Sequence, residues 1–198
     1  MAEVSIIKYN AGNVMSVMYA LERIGVSYEL TADPEKLQAA ERIIFPGVGE
    51  ASTAMKSIVE NGLDKLIPTL KQPFLGTCVG MQLLCKHSEE GNTDCLGVFD
   101  VPILKFQKKN LHKIPQTGWN EIFDYESELL DGIKEHDFVY YNHGFYAPLA
   151  KETVAKTDYI LPYSAMLQKD NFYACQFHSE ISGDVGEAIF RNFLKLKK

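Results

Sequence analysis

Apolar strands that alternate with amphipathic helices predict an α/β fold: a mostly parallel central sheet with helices on both faces. Three observations carry that prediction. Short apolar runs at Val4–Tyr9, Ile43–Phe45 and Phe74–Thr77 are bounded by turn residues. Between them, apolar residues recur at helical spacing. After about Ser88 the long periodicity gives way to short strands and turns, which adds antiparallel strands to the sheet edge or forms a small second sheet.

Val4–Tyr9 reads as the first strand. The loop Asn10-Ala11-Gly12 leads to Asn13, a good N-cap. Val14, Val17, Met18, Leu21 and Ile24 form a helical stripe that Gly25 ends. Tyr28-Glu29-Leu30 is a short strand, and Asp33-Pro34 opens a helix with Asp33 as cap. Ile43–Phe45 runs into Pro46-Gly47-Val48-Gly49. Helices follow at about Ala51–Glu60 and Leu63–Leu70, then the strand Phe74–Thr77 and a further apolar helix. Short strands are expected at Pro102–Phe106, Gly118–Phe123, Phe138–Tyr141, Thr153–Lys156, Ala165–Gln168 and Phe172–Phe177, with Lys169-Asp170-Asn171 as a hairpin turn. Gly183-Asp184 starts a last helix that turns Val185, Ile189, Phe193 and Leu196 inward.

The 198 residues suffice for one domain with a sizeable core. No repeat, low-complexity tract or linker divides them, so residues 1–198 read as a single domain. A net charge of −6 argues against a nucleic-acid or anionic-membrane surface. Met1–Ser5 has no basic stretch and no long apolar stretch, so it is not expected to be a signal peptide, and no apolar run approaches the roughly 18 residues of a membrane span. Cys78, Cys85, Cys95 and Cys175 are scattered, without a Cys-x-x-Cys pair or a short Cys/His cluster, so no metal site is expected. A reducing, cytoplasmic setting fits that usage.

The chemistry centres on Gly76-Thr77-Cys78-Val79-Gly80, set between a buried strand and a helix. That is the strand–turn–helix pattern of a nucleophile elbow, with Cys78 at its apex. There the helix N-terminus favours a thiolate. The plainer alternative is a core cysteine between two turn glycines. Among the five histidines, His178 ends the apolar run Tyr173–Phe177, and Glu180 follows two residues later. In extended chain those two side chains share a side, so Glu180 could fix the imidazole tautomer while His178 serves the thiol. A solvated polar strand end is the plainer alternative here. In open parallel sheets sites form at the carboxyl ends of the strands, which groups Asn10–Asn13, Pro46–Gly49 and the Cys78 turn.

With these segments together, the chain resembles the class I (triad) glutamine amidotransferases, a flavodoxin-like α/β family. The resemblance rests on Pro46-Gly47-Val48-Gly49, on Gly76–Gln82 and on Phe177-His178-Ser179-Glu180. Within the family it is most similar to the glutaminase subunits of imidazole glycerol phosphate synthases, on Tyr9–Asn13, Gly118-Trp119-Asn120 and Tyr140-Tyr141-Asn142-His143. The resemblance implies Cys78, His178 and Glu180 as catalytic triad, and the N–H groups of Val79 and Val48 as oxyanion hole. It implies Gln82, Glu90 and backbone donors near Gly144 around the glutamine head group, and no cofactor. It also implies a (β/α)₈ barrel cyclase as partner, docked over Asn13, Trp119, Asn120, Tyr140 and His143. Lys8, Asn10, Ser179 and Ile181 depart from the family pattern, which bears on subunit coupling and leaves the triad intact. Two other readings are a pyridoxal phosphate synthase glutaminase, which Met81-Gln82 and Gly-Trp-Asn disfavour, and a noncatalytic cysteine sensor.

Overall fold

The structure is a computed structural model that describes residues 2–10, 14–47, 49–109 and 112–197. The first half alternates β1 (Val4–Ile7), α1 (Val14–Arg23), β2 (Tyr28–Thr31), α2 (Pro34–Ala39), β3 (Ile43–Phe45), α3 (Ala51–Glu60), α4 (Leu63–Leu66), β4 (Phe74–Thr77) and α5 (Val79–Leu84). Next come β5 (His87–Ser88), β6 (Thr93–Asp94), β7 (Pro102–Lys105), β8 (Gln116–Glu121), β9 (Phe138–His143), β10 (Phe145–Tyr146), β11 (Thr153–Asp158), β12 (Pro162–Lys169), β13 (Phe172–Cys175) and α6 (Gly183–Lys195).

Among the described residues the main sheet runs β11-β12-β13-β4-β3-β1-β2. From β2 to β13 all pairings are parallel; β12 and β11 add antiparallel strands at one edge. The central parallel strands are largely apolar and buried because helices cover both faces, while the edge strand β2 is more polar and more exposed. Alternation divides them between two cores. Ile7, Ile43, Phe45, Phe74 and Ala174 join α2, α3 and α5 on one side. Ile6, Ile44, Leu75 and Tyr173 join α1 and α6 on the other.

The expected late strands form in two ways. β11 and β12 extend the main sheet, while β10-β7-β5-β6 make a second small sheet and β8-β9 a separate ribbon. β5 and β6, two residues each, carry too little alternation to be read from sequence. The helix expected over Leu63–Leu70 is α4 followed by a 3-10 turn at Ile67–Thr69; Pro68 removes a backbone donor there. Asp33 caps α2 as anticipated, its carboxylate accepting from Glu35 N–H at 3.0 Å. The expected cap at Asn13 lies outside the described residues. No described helix is long and apolar enough to cross a membrane.

Candidate active site

The site forms at the carboxyl ends of three neighbouring strands, β3, β4 and β13. β4 delivers Cys78 with φ 51° and ψ −112°. A positive φ is costly for a residue with a Cβ and is held only where the surroundings force it. Here the Cys78 N–H donates to Cys175 O at 2.8 Å, and Cys78 O accepts from Gln82 N–H at 3.2 Å. The turn also needs close backbone contact with the loop after β3. A Cβ on Gly80 would lie 2.0 Å from Phe45 O, and one on Gly47 2.3 Å from Gly80 N. Tyr9, just past β1, fixes that loop by donating its hydroxyl to Pro46 O at 2.5 Å.

His178 follows β13 closely. Its N–H donates to Tyr140 O at 2.8 Å, and its carbonyl accepts from Ser182 Oγ at 2.6 Å. The chain beyond it is not extended: Ser179–Ile181 forms a 3-10 turn. That turn, rather than strand alternation, brings Glu180 back, and His178 Nδ1 donates to Glu180 Oε1 at 2.8 Å. Both side chains are buried. Burial opposes charge on His178. Its hydrogen bonds with the Cys78 side chain and Glu180, and the charges of both, outweigh this and raise its pKa to about 10. With Nδ1 on Glu180, Nε2 is the ring nitrogen left for Cys78.

Cys78 and His178 share a cavity of about 260 Å³ with Gln82, Glu90, Asn142, His143, Gly144 and Phe145. That is just below the roughly 300–1,000 Å³ of drug-sized sites and suits a small metabolite. Gln82 Nε2 donates to Phe145 O and to Gln176 Oε1, each at 3.1 Å. Its carbonyl oxygen is therefore the end that can meet a ligand, as an acceptor. Glu90 Oε2 accepts from Ala51 N–H at 2.8 Å, the first residue of α3. Burial raises the Glu90 pKa, that hydrogen bond opposes the rise, and Glu50 adds to it.

The two oxyanion candidates fare differently. The Val79 N–H is directed at Gly47 O, 3.4 Å away; Val48 lies outside the described residues. So does Asn13 of the interface set. Trp119 is 55% exposed and packs edge-on against Tyr140. The Asn120 amide is turned inward, donating to Thr157 Oγ1 and Asp158 O. His143, expected as a structural or docking-face residue, is buried and lines the cavity instead of the outer surface. The β8–β9 ribbon turns it inward, where its ring nitrogens meet Phe145 O at 2.7 Å and Tyr163 Oη at 3.0 Å. Burial, opposed by the Phe145 bond and reinforced by His178, pushes its pKa down to about 4.

Sequence reasoning passed over Gln176, Pro115 and Asn142. Pro115 and Asn142 line the cavity, and Gln176 Nε2 faces Cys78 Sγ at 4.0 Å. The available signal for Gln176 was its position two residues before His178, on the same strand face. Among the described residues no cluster of His, Cys, Asp and Glu could hold a metal. The arrangement can generate a thiolate, hold a proton beside it and retain a small polar substrate.

Residues 5–196 match the family described as glutamine amidotransferase class-I. The chain belongs to that family. This amidotransferase is 54% identical over 195 residues to the imidazole glycerol phosphate synthase subunit HisH of Bacteroides thetaiotaomicron, covering 98% of this chain and 100% of that protein. It is 43% identical to the HisH subunit of Shewanella loihica, over 96% and 89% of the two chains. Identity of that extent places it among the HisH subunits. Solved structures add likeness of fold at low identity. A putative GMP synthase subunit from Thermoplasma acidophilum superposes with a TM-score of 0.74 at 20% identity, over 98% of this chain and 93% of that one. PurLQS from Thermotoga maritima gives 0.68 at 17%, over 98% of each.

Proposed function

We propose that residues 1–198 work as one glutaminase domain that hydrolyses L-glutamine and passes the ammonia to a cyclase subunit. Cys78 thiolate attacks the side-chain carboxamide carbon; a C–S bond forms and the carbonyl pair moves to oxygen. Imidazolium His178 protonates the departing nitrogen, the C–N bond breaks, and a thioester remains. Neutral His178 then takes a proton from water, which attacks the thioester and releases glutamate. Glu180 holds the imidazole throughout. The observation that carries this reading is the His178–Glu180 pair, hydrogen-bonded at 2.8 Å, lining one cavity with Cys78, which stands at the apex of a strained turn.

Val79 N–H and a donor from Pro46–Gly49, Val48 by resemblance, stabilise the oxyanion. For Val79 to serve, the Gly47 carbonyl now facing it must turn away, and the glycines on either side of Val48 permit that. Glu90 meets the α-ammonium, Gln82 accepts from it through its carbonyl, and backbone donors near Gly144 meet the α-carboxylate.

The partner is a (β/α)₈ barrel cyclase that converts a phosphoribosyl-formimino aminoimidazole carboxamide ribonucleotide and ammonia to imidazole glycerol phosphate and aminoimidazole carboxamide ribotide. The exposed Trp119 beside Tyr140, on the ribbon next to the His178 turn, supports docking at this face. Four free cysteines suit a reducing cytoplasm. The test is glutamate release with and without the purified cyclase and its ligand. Release should be near idle alone and strongly raised in the complex. Unchanged turnover in Cys78→Ala overturns the catalytic assignment.

A further inference from the structure

β4 and β13 run parallel with Thr77 beside Cys175. The next residue on each strand is Cys78 and Gln176, so the register itself sets a buried amide beside the sulfur. A buried amide in an apolar strand costs stability unless it is hydrogen-bonded, whereas methionine would fill the same space without that cost. The amide's orientation is determined. Gln82 Nε2 carries two protons, directed at the carbonyl oxygens of Phe145 and of Gln176. Gln176 Oε1 is therefore the acceptor end, and Nε2, which can only donate, faces Cys78 Sγ at 4.0 Å. The main-chain oxygen of Asn142 lies 4.0 Å from the same sulfur. Sγ thus sits between an acceptor that suits the thiol and a donor that suits the thiolate.

We propose that Gln176 is a positioning residue for Cys78. Its N–H, aimed by the chain Phe145–Gln82–Gln176, favours the thiolate and fixes the sulfur for attack. The inference rests on Cys78 being the nucleophile. Its action is distinct from that of the titratable groups around the sulfur, which are His178 with Glu180 behind it, Tyr9 and Tyr163, and, across the cavity, Glu90 and His143. Gln176 carries no charge and does not titrate, so its effect displaces the whole reactivity profile without changing its shape.

Two variants test this in the assembled synthase. Gln176→Met keeps the volume and removes the donor; Gln176→Glu keeps the shape and sets an acceptor beside the sulfur. Iodoacetamide labelling of Cys78, located by peptide mass spectrometry, is followed across pH together with glutamate release. Gln176→Met should have its midpoint about one pH unit higher and, below that midpoint, should label about tenfold more slowly, since a hydrogen bond to a charged group is worth about that much. Gln176→Glu should be slower still, and kcat should fall in parallel while KM holds. Labelling profiles that superimpose on the wild type, with only the thermal midpoint lowered, would leave Gln176 a packing residue and overturn the proposal. If the methionine variant does not fold, the profile of the isosteric glutamate variant decides in the same way. Wild-type enzyme that keeps its full glutamate release after Cys78 is labelled overturns the nucleophile assignment itself, an outcome separate from either profile.

Discussion

His178 and His143 line one cavity and both lie buried, yet their surroundings drive their protons in opposite directions. Burial alone would make each a poor cation. At His178 it is outweighed by Cys78 and by Glu180 at 2.8 Å, and the pKa stands at about 10. At His143 the ring is closed in by Phe106, Tyr141 and Tyr163. A single carbonyl, Phe145 O, is its support against burial and the neighbouring His178, and the pKa falls to about 4. What equips an imidazole to hold and deliver a proton here is its coupling to Cys78 and Glu180, which His143 lacks. Depth in the fold works against it.

The largest expected effect separates the two rings in the reaction. His178→Gln should lower glutamate release by on the order of 10²–10⁴, the usual contribution of a general acid–base group, and His143→Gln by less than about tenfold. Equal losses would break the comparison and give His143 a part in the chemistry. Glu180→Gln comes next, with a fall on the order of 10². It removes one of the two partners that raise the His178 pKa, so the alkaline limb of kcat/KM should move to lower pH. An unmoved limb would assign the raised pKa to Cys78 alone.

The smallest effects are on stability, and their signs differ. His178 binds its proton more tightly folded than unfolded. Its contribution is complete below about pH 6.5 and is lost as pH rises through about 10. His143 binds its proton less tightly when folded, so its penalty grows as pH falls from about 6.5 through about 4. Denaturation across pH should show the advantage of wild type over His178→Gln shrinking on the alkaline side. The advantage over His143→Gln should shrink on the acid side. Each slope is limited to about 1.4 kcal/mol per pH unit. A common slope for both variants would mean that neither shift belongs to its own ring.

Much of the site is legible in the residues because its demands are local. An elbow needs small neighbours, and Gly76 and Gly80 announce it around Cys78. His178 and Glu180 are two residues apart, so their pairing could be read even though the argument from extended chain was wrong and a 3-10 turn does the work. The late strands were legible as strands, while their division among three sheets was not, since a short alternating segment pairs with whichever edge the fold presents. The resemblance gave His143 as a structural or docking-face residue. The ribbon's pleat sent it inward.

The sequence by itself determined the apolar parallel strands, the covering helices, the cysteine turn and the imidazole–carboxylate pair, because each follows from spacings of a few residues. The tertiary structure alone decided that Gln176 lies beside Cys78, that Gln82 offers a carbonyl, that one Glu90 oxygen is held by the start of α3, and that the Val79 N–H faces Gly47. Those contacts join residues brought together by strand register and loop packing, and such distances are set only when the whole sheet closes.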